Sequence, residues 1–62
     1  MPPTLAQVLY EAYCEQAGWR SIVTGDPLPP WIELRPAVQA GWQASAVAAG
    51  KYFKQVVDEH LR

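Results

Sequence analysis

Proline placement constrains this chain more than any other feature. Its six prolines stand at positions 2, 3, 27, 29, 30 and 36. Inside a helix, a proline removes a backbone donor and clashes with the preceding turn. Helices of any length therefore fit only in the two proline-free stretches that begin after Pro3 and after Pro36. The expected architecture is one small all-α domain: a short helix over about residues 4–17, a Pro-rich connection over 18–35, and a long helix over about 36–60. It is a two-helix hairpin, expected to assemble as a homo-oligomeric helical bundle.

The first stretch carries its own start and stop signals. Thr4-Leu5-Ala6-Gln7 reads as a capping box, with the Thr4 hydroxyl on the Gln7 amide and the Gln7 side chain returning toward Thr4. Leu5, Val8, Leu9, Ala12, Tyr13 and Gln16 then follow the helical spacing, and Gly18 supplies a left-handed stop. Gln7, Glu11 and Glu15 form one narrow polar stripe. The opposite flank, Ala6, Tyr10, Cys14 and Ala17, is also largely apolar. Because an ordinary surface helix keeps a wider polar face, this one is expected to be covered on two sides.

The connection holds a turn signal at Gly25-Asp26-Pro27, and Ile22-Val23-Thr24 before it favours a short extended piece. Leu28-Pro29-Pro30 should run extended, since a residue preceding proline is pushed out of the α region. Trp31-Ile32-Glu33-Leu34 is expected to make a single helical turn, with Trp31 and Leu34 available to plug the end of the bundle.

Pro36 suits the first position of the second helix, which would be ~38 Å long at 1.5 Å per residue. One stripe reads Val38, Trp42, Ser45, Ala49, Tyr52 and Val56, and a second reads Ala40, Ala44, Val47, Ala48 and Lys51. Ala37, Gly41 and Ser45 are small at every fourth position, which invites a close helix crossing near Gly41. Gly50 is a candidate kink. Beyond it the chain becomes charged and amphipathic, suited to extending the bundle or docking on another subunit.

Composition then decides what such a hairpin needs. The chain has 62 residues, half of them apolar, with three Trp, three Tyr and one Phe. A domain this small buries only about 60% of the surface its unfolded chain exposes. Below roughly 70–80 residues, a disulfide, a metal or a partner chain usually supplies the rest. One Cys and one His provide neither a disulfide framework nor a multi-Cys metal site, so self-association is the expectation. Net charge is −1 and no basic tract is present, which argues against a DNA or RNA polymer as partner. No apolar run approaches the ~20 residues of a membrane span, and the N-terminus lacks the basic region of a signal peptide. A cytoplasmic protein is expected.

Catalytic chemistry finds little footing. Cys14 reads as a small buried hydrophobe and His60 as a solvated end residue. No phosphate loop, dinucleotide glycine pattern or zinc spacing occurs, so neither enzyme activity nor a cofactor is expected. Binding has better material. Trp19 beside Arg20, and Trp31 near Arg35, pair flat apolar rings with guanidinium groups. That pairing suits a nucleotide, the ring stacking on the base and the Arg forking to phosphate oxygens. Lys51 and Tyr52 would add a cation and a hydroxyl from the long helix, and an oligomer would bring these groups together from different chains.

The same residues carry a resemblance. Tyr10, Ala12 and Tyr13 on the first helix, the loop Gly25, Pro27, Leu28, Pro29, Trp31 and Leu34, and Trp42, Ala44 and Ala46 on an Ala-rich helix together form a pattern. In it the chain resembles a group of very short proteins encoded by tailed bacteriophages and prophages. The likeness covers about residues 4–49, and from Gly50 onward the chain departs from it. The resemblance implies a protein that acts in the host cytoplasm. One such role is counter-defence, in which an oligomer sequesters a nucleotide immune signal without cleaving it. Others are a helical inhibitor that binds and blocks a host protein, and a structural accessory of the virion.

Overall fold

The computed structural model describes residues 2–61, and among them the secondary structure is two α-helices, one short 3-10 turn and no strand. Helix α1 spans Leu5–Gln16, a 3-10 turn spans Trp31–Glu33, and helix α2 spans Pro36–His60. The molecule is an all-α hairpin whose second helix is about twice as long as its first.

Each end of α1 is set locally. The Thr4 hydroxyl accepts a hydrogen bond from the Gln7 amide at 3.3 Å, which satisfies one of the free donors at a helix start. The reciprocal bond from the Gln7 side chain, the other half of a capping box, is not formed among the described residues. At the far end the Gly18 amide donates to the Glu15 carbonyl at 3.2 Å and the Trp19 amide donates to the Cys14 carbonyl at 2.7 Å. These two bonds make a Schellman closure, with Gly18 left-handed at φ +68°.

The core lies between the helices and is small. Ala6, Tyr10 and Cys14 are its buried residues, with Cys14 fully enclosed. They stand four apart on one side of α1, so the helix turns inward the apolar flank that adjoins its polar stripe, leaving Gln7 and Glu11 half-buried. The other apolar row does not form the core: Leu5, Val8 and Tyr13 remain 45%, 46% and 39% exposed. Size explains the choice. Small Ala6 and Cys14 bracket Tyr10 and let α2 approach closely enough for its ring to reach two tryptophans. Tyr10 meets Trp42 edge-on at 5.6 Å and Trp31 at 5.9 Å, and Tyr13 meets Trp42 at 5.6 Å. Each such pair stabilises by ~0.5–1.5 kcal/mol beyond its burial.

Helix α2 presents Gln39, Trp42, Ala46 and Ala49 inward, all half-buried. This seam keeps Trp42 and Ala49 of the expected stripe but replaces Val38 and Ser45, which are exposed, by Gln39 and Ala46. The inward face is thus rotated from the expected one. Small-residue spacing at Ala37, Gly41 and Ser45 makes no crossing: nothing lies within 4 Å of a Cβ built at Gly41. The helix also continues through Gly50 without interruption. Past Ala49 every described residue is exposed, because α1 does not extend that far.

Candidate ligand-binding surface

Between the helices the chain forms a strap fastened at two points. The Tyr10 hydroxyl donates to the Pro29 carbonyl at 2.6 Å, and the Gln39 side-chain amide donates to the Trp31 carbonyl at 2.8 Å. Pro29 and Pro30 have no backbone N–H to donate, and their carbonyls accept from the Tyr10 hydroxyl and the Glu33 amide respectively. Burial pushes the Tyr10 phenol well above its ordinary pKa, and the neighbouring Cys14 thiol adds to the effect. The hydroxyl therefore stays a donor throughout the neutral range.

The tip of the strap is a self-contained turn. Arg20 and Pro27 pair in an isolated antiparallel bridge, and the Leu28 amide donates to the Trp19 carbonyl at 2.8 Å. Within it the Ser21 hydroxyl accepts from the Val23 and Thr24 amides, both at 3.2 Å. The Thr24 hydroxyl accepts from the Asp26 amide at 3.3 Å, and Gly25 is left-handed at φ +78°. Ile22-Val23-Thr24 is consequently a turn, not the extended piece its β-branched residues suggest. Local side-chain bonds to the backbone outcompete their β preference. Ile22 and Val23 end up 78% and 88% exposed.

The six expected binding residues fall into four places. Trp19 sits where the strap leaves α1, 36% exposed and with φ +59°. A left-handed backbone is unfavourable for an aromatic residue by ~1–2 kcal/mol. Next to it, the Arg20 guanidinium donates to the Gly25 carbonyl at 3.2 Å, which holds the cation at the strap rather than at large. Trp31 is half-buried with its ring on Tyr10, so it serves the core and plugs the bundle end together with half-buried Leu34. Arg35 is exposed and immediately precedes α2, whose first turn contains no acidic residue. The positive end of that helix therefore carries an added cation. Lys51 and Tyr52 are exposed beyond the end of the core.

These groups do not converge on one ligand within a single chain. Arg35 and Lys51 are separated by about 24 Å of helix axis at 1.5 Å per residue. No cavity or cleft occurs among the described residues, and no three His, Cys, Asp or Glu side chains gather there as a metal would require. No described helix is long and apolar enough to cross a membrane. Two residues outside the six expected ones, Tyr10 as a hydrogen-bond donor and Gln39, tie the strap to both helices. The four-residue spacing of Ala6, Tyr10 and Cys14 was the available signal for the first. Comparison of the chain with family models, curated proteins and solved structures gives no match.

Proposed function

We propose that the chain is a non-catalytic binding protein of the phage-encoded kind its sequence resembles. It works as a homo-oligomer in the host cytoplasm and holds a nucleotide signal at a site shared between subunits. Trp19 carries this reading. A bulky residue in left-handed backbone is costly, and such strain concentrates where a side chain has a task to perform. Trp19 is partly exposed beside an Arg whose position is fixed, which is the ring-and-guanidinium pair an anionic aromatic ligand calls for. The dispersion of Arg35, Lys51 and Tyr52 supports a composite site, because a single chain offers no concave surface to enclose a ligand.

The test is to incubate the protein with cyclic and ADP-ribose-type nucleotides, release bound material by heat, and identify it by mass spectrometry. Tight retention of an intact nucleotide is expected, with at least a tenfold loss of affinity in Trp19→Gly or Arg20→Ala. Trp19→Gly also removes a ring that is only 36% exposed, so Arg20→Ala, whose side chain is exposed, is the variant expected to lose binding with its melting temperature little changed. Absence of binding across the panel would overturn the nucleotide reading. A second reading, a helical inhibitor that blocks a host protein, is favoured by exposed Ile22 and Val23 at the strap tip, whose apolar surface suits a protein partner.

A further inference from the structure

The core-facing seam of α2 does not stop where α1 stops. Gln39, Trp42, Ala46 and Ala49 are followed, in the same alternating steps of three and four, by Phe53, Val56 and His60. That is the a/d spacing of a left-handed coiled coil. Val57 and Tyr52 flank it on either side. Over the first half of the helix α1 covers this seam; over the second half none of the described residues does, and Tyr52, Phe53, Val56 and Val57 are 64%, 61%, 39% and 53% exposed. Charged Lys51, Lys54 and Asp58 lie on the other side of the helix by the same spacing, and Glu59 and His60 stand only at the far end of the seam, so its centre at Phe53 and Val56 is free of charge.

We propose that a second copy of this chain covers that stretch, the two α2 ends packing seam to seam across a twofold axis. This deepens the oligomer on which the functional reading rests by naming its interface. Area argues for a copy. The chain exposes 5181 Å², whereas a compact protein of its mass exposes about 4,000 Å². The excess, spread over the whole elongated chain, is about 1,200 Å², enough to include the ~800 Å² per partner of a standard stable interface. Shape agrees: the radius of gyration is 14.2 Å, against about 10.5 Å for a compact chain of this length. A seam of two aromatics and two valines is also self-complementary, since apolar packing in a twofold contact needs no opposing charge on the partner.

Light scattering on the full chain reads the interface. Wild type at 100 µM should give twice the 6.9 kDa chain mass or a higher even multiple. Phe53→Glu should halve the mass obtained, while its tryptophan emission, set by Trp42 and Trp31 on Tyr10, stays unchanged. Val47→Glu, on an exposed position away from the seam, should leave the wild-type mass intact. An oligomer that survives Phe53→Glu overturns this interface while leaving the shared-site reading standing. A wild-type monomer at 100 µM overturns both.

Discussion

Tyr10 does more for this molecule than any other single residue. Its ring touches two tryptophans and its hydroxyl holds the strap at Pro29. Tyr10→Phe keeps the ring and removes only the donor, so a loss of about 1 kcal/mol is expected, the usual net value of a hydrogen bond, read from urea unfolding. The same residue sets an alkaline limit. Below the ordinary tyrosine pKa of ~10, folded and unfolded chains both keep the phenol proton. Above it the unfolded chain releases that proton while burial makes the folded chain retain it. The unfolded state then binds fewer protons, and stability falls as pH rises. Melting temperature should therefore decline above about pH 10, and less steeply in Tyr10→Phe than in wild type.

At the scale of elements, α2 carries glycines that do no packing. Gly41 has no neighbour within 4 Å and an ordinary helical φ. A methyl group there meets only solvent, and alanine favours the helix by ~0.8–1 kcal/mol over glycine. Gly41→Ala should raise the melting temperature by roughly 4–8 °C per kcal/mol gained in a chain of this size, measured by circular dichroism. A fall would instead mean that a close neighbour occupies that side of the helix in the assembly. The contrast with the expected crossing shows which parts of the fold are legible in residues alone. Pro36 and Gly18 mark element ends because their backbone effects are local. The inward face of α1 was ambiguous, since two of its sides are apolar and only Tyr10's distant partners choose between them. Trp31 illustrates the same limit at the site. Its neighbour Arg35 suggested a ligand, but its ring is committed to Tyr10, a residue far away in sequence. Gln39 and Ala46 are not distinguishable as inward positions from the residues alone, because Val38 and Ser45 fit the helical spacing equally well.

The whole molecule measures 47 × 22 × 21 Å, and that length is the second half of α2 projecting from a short core. Most helical stability in proteins comes from tertiary packing, and on the proposed twofold interface this projection gets that packing from the second copy. Hydrogen exchange by mass spectrometry should find amides over residues 52–60 protected at 100 µM and progressively unprotected on dilution toward 1 µM, while those of residues 40–49 stay protected throughout. Added salt should change this little, because Phe53 and Val56 at the centre of the uncovered seam carry no charge to screen. Equal protection of the two segments at every concentration would show that the projection needs no cover.

The two fastenings of the strap divide it into parts of unequal freedom. Between Trp19 and Leu28 the chain forms a turn closed on itself, so extra residues at its tip lengthen a loop whose ends are already joined. Each doubling of such a loop costs only about 0.6 kcal/mol. From Pro29 to Gln39 every step is tied, through the Tyr10 hydroxyl at one end and the Gln39 amide at the other. One residue inserted there would carry Trp31 off the Tyr10 ring or, if taken up inside α2, turn its inner seam by about 100°, more than a quarter of a circle. Added length is therefore tolerated at the tip and costly in the segment that follows it.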